Sequence, residues 1–337
     1  MARTVAQQIK ATLTPQEQSR LASARPVNPE AYEAFLRGRY FLSRWPEGAE
    51  MPAKYFQEAI DKDPNYGEAW AGLATSTLLL GYFDPPHQSF PKAKAAAERA
   101  LLLNPSLGEA YVALGDYKSL YEYDWGGRNS ITSAQSSLAP AARTPTLITA
   151  PCCSARLGSM RRSPWPTGGQ EVDPVGLLAN RMLGFVYMWA RRYDDSIVQN
   201  QKTLELDPNH DTARFQLAGC YTLLGKYAEA LAEFKKLGDI TAHPHVGFLY
   251  AVSGRHSAAR KIASDLERLS KQEYISPFMM AVPYAGLRDH DKAIEWLERG
   301  YHEHAAMMFL LKVDPFLDNV RSDPRFQDLL RRMNFPP

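Results

Sequence analysis

Two short histidine pairs, His243-x-His245 and His302-x-His304, are the residues in this 337-residue chain whose type and spacing first suggest chemistry. Imidazoles ligate metals, but residues two apart on a helix point to different faces. Neither pair has a cysteine or carboxylate cluster to complete a site, so both read as surface histidines and no metal is expected. Cys152, Cys153 and Cys220 are too few for a disulfide framework. Cys220 follows Gly219 on a core-type helix, where a buried, inert thiol is expected. The run from Gly72 to Gly81 lacks the Gly-Lys-Ser/Thr ending of a phosphate loop. Eight scattered histidines give no Ser-His-Asp order. The sequence thus predicts no enzyme, no catalytic residue and no cofactor.

The residues that do recur are structural. Helix-ending prolines fall at Pro64, Pro105, Pro140, Pro174 and Pro208, at steps of 41, 35, 34 and 34 residues. A Leu followed by Gly or Ala occurs at Leu73-Ala74, Leu114-Gly115, Leu183-Gly184 and Leu217-Ala218, at steps of 41, 69 and 34. The two landmarks are unrelated and keep the same step. Between them, Leu177 to Pro208 reads as two amphipathic helices closed by Asp207-Pro208. Leu183, Gly184 and Tyr187 share a face of the first, and Ile197, Leu204 and Leu206 are the apolar members of the second. Proline lacks the N–H and clashes with the preceding turn, so it stops the run. Neither helix can bury its stripe alone, and a period of about 34 residues in helix–turn–helix form is that of a repeat array.

The pattern Leu-Gly/Ala-x-x-Tyr, then a small or bulky residue, then Pro is carried by Leu183, Gly184, Tyr187 and Pro208. Leu217, Ala218, Tyr221 and Ala230 repeat it. On these residues the chain resembles a tetratricopeptide-repeat protein from about Pro29 to Arg332. The small residue lets the two helices approach while the aromatic fills the gap beside it. The resemblance implies an all-α fold, a right-handed superhelical solenoid of antiparallel helix pairs. It also implies a scaffold that holds a protein or peptide partner in its concave groove. The groove-facing positions, counted from the Leu-Gly landmark, are Arg181, Phe185, Met188 and Trp189 in the central repeat and Phe215, Thr222 and Leu223 in the next. The other reading open to these residues is packing against a neighbouring helix.

Composition fits that fold. Apolar residues make up 45% of the chain, and 39 Lys and Arg against 37 Asp and Glu leave a net charge of +2. Such a balance does not suggest nucleic-acid binding or an acidic membrane surface. No apolar run approaches the roughly 18 residues of a membrane helix, and the N-terminus lacks the apolar core of a signal peptide. A cytoplasmic location is expected.

In chain order, residues 1–27 read as a helical linker or cap, broken at Thr14-Pro15. The stretch from Val5 into the first repeat is similar to a junction in large bacterial signalling proteins, where a TolB-like domain meets a tetratricopeptide array. That similarity implies a second reading, the regulatory C-terminal half of a transcriptional regulator or serine/threonine kinase whose effector domain lies outside this chain. Residues 28–124 form the N-terminal repeats. Seven extra residues around Asp84-Pro85-Pro86 predict a protruding loop or a lengthened turn there. From Trp125 to Gln170 there is no Asp, Glu or Lys, but there are five arginines and clusters of Ser, Pro and Thr. Residues 125–172 therefore read as irregular. They admit three accounts: a Ser/Arg/Pro insertion, a basic patch, or a pair of compensating frameshifts that kept the repeat count while replacing two repeats. Residues 173–300 resume the array, with one step shortened to 29 between Tyr221 and Tyr250. Residues 301–337 read as capping helices, with Asp-Pro stops bracketing short segments.

Overall fold

The computed structural model describes residues 27–46, 48–138, 177–238, 240–241 and 243–336, except for the side chains of 132–138, 177–179 and 181. The described residues are helical throughout, with no strand. Three N-terminal hairpins pair α1 (Pro29–Ser43) with α2 (Met51–Lys62), α3 (Gly67–Leu80) with α4 (Pro86–Leu103), and α5 (Gly108–Leu120) with α6 (Trp125–Leu138). Four more follow: α7 (Leu177–Trp189) with α8 (Tyr193–Leu206), α9 (Asp211–Leu223) with α10 (Tyr227–Lys235), α11 (Pro244–Val252) with α12 (His256–Leu269), and α13 (Pro277–Leu287) with α14 (His290–His302). Two 3-10 helices, Ala306–Leu310 and Pro315–Val320, and α15 (Pro324–Arg332) end the chain.

One local device closes successive pairs. Asp63 Oδ1 accepts from the Asn65 N–H at 3.2 Å, Asn104 Oδ1 from Ser106 at 3.0 Å, and Asp207 Oδ1 from Asn209 at 3.1 Å. In each case the residue between is proline. The Asx turn holds the carboxamide or carboxylate while proline stops the helix, and this is the physical basis of the proline period.

The small residues act as read from the sequence. A Cβ on Gly38 would lie 2.8 Å from the Phe56 ring, and one on Gly72 would lie 2.5 Å from it. Phe56, fully buried on α2, is thus gripped by α1 on one side and α3 on the other. Helices of one repeat and the next meet on a single ring.

Two stretches differ from the sequence reading. The seven extra residues beyond Asp84 make no protruding loop, because Pro86 opens α4, which runs for 18 residues. Proline is well placed in a first turn, where its missing N–H has no intrahelical partner to lose. The acid-free stretch also begins in helix, since α6 covers its first 14 residues. Asp124 Oδ1 accepts from the Gly127 N–H at 2.8 Å and starts the helix. Arg128 pairs with Asp116 of α5 at 3.5 Å, both side chains being buried. The rest of the acid-free stretch, 139–170, lies outside the described residues, as do residues 171–176 and the N-terminal residues 1–26.

The C-terminal end returns to the N-terminal hairpins. The Trp125 indole N–H donates to the Met333 carbonyl at 2.8 Å, and its ring lies 5.2 Å from Phe335. Tyr123 stacks on Tyr301 at 5.5 Å and on His304 at 5.2 Å. One hydrophobic core therefore runs from Leu42 and Phe56 through Trp125 to Met188, Leu217, Phe278 and Leu329.

Candidate functional site

The first helices of successive pairs, α7, α9, α11 and α13, share one face. In an open repeat array that face would be wet. Here α11, PHVGFLYAV, is buried at every position from Pro244 to Leu249, and α13 at every position from Met280 to Gly286. A helix that is apolar all round must be covered on both sides. The covering layer is this chain's own segment from about Leu311 to Val320.

Phe316 is the centre of that layer and is 1% exposed. Its ring stands edge-on to His245 of α11 at 4.6 Å and to Phe248 at 5.1 Å. It clusters with Phe248 and Val282, with Leu223 packed alongside. A Cβ on Gly219 of α9 would lie 3.3 Å from its tip, so the glycine leaves room for the ring. Polar contacts fix the segment's backbone. Arg191, in the turn after α7, donates to the Val313 carbonyl at 2.7 Å and to both Asp318 carboxylate oxygens at 2.8 and 3.1 Å. Asn319 donates to the Ala285 carbonyl at 3.1 Å. Asp314 accepts the Phe316 N–H at 2.9 Å, and burial raises its carboxyl to about 6.

Of the residues expected to face a groove, none whose side chain is described is exposed. Met188 and Thr222 are 3% exposed and Trp189 8%. Thr222 donates back to the Ala218 carbonyl at 2.8 Å. Phe185 stacks on Trp189 at 5.0 Å. Phe215 meets His245 edge-on at 4.7 Å, and Leu223 borders Phe316. The side chain of Arg181 lies outside the described residues. Arg191, His245, Phe248 and Phe316 were missed, although the all-apolar run of α11 and α13 was a visible sign that something covers them.

His243 and His245 are not at the surface. They sit among Phe215, Phe234 and Phe316, with their ring centres 5.7 Å apart. Burial lowers His243 to about 4 and holds His245 well below the usual imidazole range. Pro244 opens α11 between them, which carries both rings inward with its first turn. Among the described residues no three His, Cys, Asp or Glu side chains gather as a metal site would need. Cys220 is fully buried, and burial pushes its thiol up to about 11.

This burial has a pH consequence. An imidazole held neutral in the fold gains its proton more readily when unfolded, so its stability contribution is complete above about 6.5 and is lost as pH falls towards 4. Asp314 acts in the opposite sense, because its raised carboxyl favours the fold as pH falls below about 6. A His243→Phe comparison isolates the imidazole. Between pH 7 and pH 4.5 the wild type is expected to lose about 2–3 kcal/mol more stability than the variant. Urea titrations at both pH values check this, and parallel losses would place His243 in solvent.

No protein-family model matches the chain. The TPR repeat-containing protein YpiA of Bacillus subtilis is 23% identical over 261 residues, which is 72% of this chain and 57% of that relative. The chain therefore spans a little over half the length of that relative. The solved structure of a monomeric IFIT1 mutant with Gppp-AAAA superposes with a TM-score of 0.55 at 14% identity, covering 98% of this chain and 75% of that one. The fold is the tetratricopeptide type of helical solenoid. No helix of the described residues is long and apolar enough to cross a membrane.

Proposed function

We propose that the protein is an interaction scaffold that holds a protein partner, as a peptide or helix, on the face shared by α7, α9, α11 and α13. The supporting observation is that this face already seats a peptide segment, with an aromatic ring in a pocket and a guanidinium on the flanking carboxylate. That is how peptide grooves divide their work, an apolar anchor for affinity and a charged pair for register. Phe185, Met188, Trp189, Phe215, Thr222 and Leu223, with Arg181 at the start of the same helix, are the residues assigned to it. No catalytic step is assigned to the chain.

Proximity labelling in the native host, followed by reconstitution from purified components, tests the reading. A protein that re-forms a complex with the full chain, and loses roughly fivefold or more in affinity on Phe185→Ala with Phe215→Ala, supports it. A chain that re-forms no complex with any labelled protein sinks it.

A further inference from the structure

The alternation of paired helices stops at α14, and the chain then departs from it. Instead of adding another pair, residues 311–320 run across the inner face of the preceding pairs. Both ends of this strap are held elsewhere. Met308 packs where a Cβ on Gly300 of α14 would meet its sulfur at 2.9 Å. On the far side Arg325 of α15 pairs with Asp291 of α14 at 2.8 Å, and Arg332 pairs with Glu298. The two ends are therefore held by contacts that do not involve the face.

The middle is recognised as a ligand is recognised. Phe316 enters a pocket made by three different helices, through Gly219, His245, Phe248 and Val282. Two residues on, both carboxylate oxygens of Asp318 accept from Nη2 of Arg191. Arg191 occupies the left-handed turn position, φ +59°, that Gly225 and Gly254 fill in the next two hairpins and Arg288 in the one after. A side chain is kept there at a backbone cost that glycine would avoid. The Arg191–Asp318 pair is also partly open to solvent, at 38% and 45%, so it fixes register more than it locks the strap.

We propose that residues 312–320 are a resident occupant of a peptide site, and that the same site takes a partner segment of the same chemistry in trans. That segment carries Asp-Pro-Phe-Leu followed directly by a second carboxylate. The strap is then the template for the partner and its competitor. The proposal rests on the scaffold reading and narrows it to one motif.

The test uses the full chain and a fluorescent peptide with the sequence of residues 311–322. Phe316→Ala removes the strap's anchor and leaves every residue that lines the pocket unsubstituted, and should bind the peptide at least about tenfold tighter than the wild type, or 1.4 kcal/mol. A peptide with Ala in place of its Phe should not bind. Arg191→Gly added to Phe316→Ala should lose most of the gain, whereas Arg288→Gly, the same backbone change three hairpins away, should keep it. Should Phe316→Ala fail to fold, Asp318→Ala replaces it, with an expected gain of a few fold. A folded variant of either kind that binds the peptide no better than the wild type overturns the proposal and makes the strap a fixed part of the core. A partner that binds the full chain by reconstitution, with no peptide binding, overturns the motif alone and leaves the scaffold reading standing.

Discussion

Truncating Phe316 to alanine is expected to lower the unfolding free energy by about 3–5 kcal/mol. The ring is 1% exposed and fills a pocket whose walls come from α9, α11 and α13, so its loss leaves a cavity that three separately anchored helices must close. Partial collapse is the reason for the range. Urea unfolding followed by circular dichroism measures it, with the slope of the transition reporting any change in the surface exposed. A loss below about 1 kcal/mol would mean that the ring sits on the face without being enclosed by it. The same variant then gives an independent check on the strap, because amide exchange at residues 311–320 should accelerate while α14 and α15 keep their protection.

The second large effect belongs to the N-terminal hairpins. Phe56→Ala should also cost about 3–5 kcal/mol, since the ring is wholly buried between α1 and α3. Gly72→Ala should cost about 1–3 kcal/mol for the opposite reason, overpacking, because the new Cβ would sit 2.5 Å from that ring. Combined, the two changes answer each other. The methyl enters space that the ring has left, and alanine favours helix over glycine. The double variant should therefore be more stable than the sum of the single losses by about 0.5–3 kcal/mol. Additive losses would show that Gly72 and Phe56 do not share one contact.

The fold was legible because its determinants are local and repeated. Asp63-Pro64-Asn65 and Asp207-Pro208-Asn209 form the same Asx turn from the same residue types, so period and mechanism coincide. Gly38 and Gly72, 34 residues apart, both mark close approaches to one ring. The extra residues near Asp84 misled because proline both ends and opens helices, and the chemistry of Pro86 alone does not say which. The pair His243 and His245 misled for a related reason, whereas His302 is exposed as expected. A two-residue spacing forbids a shared helix face, but His243 lies just ahead of α11 and the spacing rule never applied to it.

The site was half legible. Counting from Leu183-Gly184 reached Phe215, which meets His245, and Leu223, which borders Phe316. What occupies that face depends on a contact between Gly219 and Phe316, almost a hundred residues apart, and no period in the sequence announces such a pairing. The composition of α11 and α13 did announce a cover, since neither helix has a polar side to offer water.

The seam where Trp125 and Tyr123 receive Met333 and Tyr301 bears on how the chain can change over generations. Repeat arrays ordinarily gain and lose units freely, because each unit touches only its neighbours. Here a hairpin duplicated or deleted between α7 and α14 would carry the C-terminal tail one step past Trp125 and unmake the seam. Copy number in this stretch is therefore held fixed by a contact outside it, and variation is steered towards substitutions within units rather than changes in how many there are.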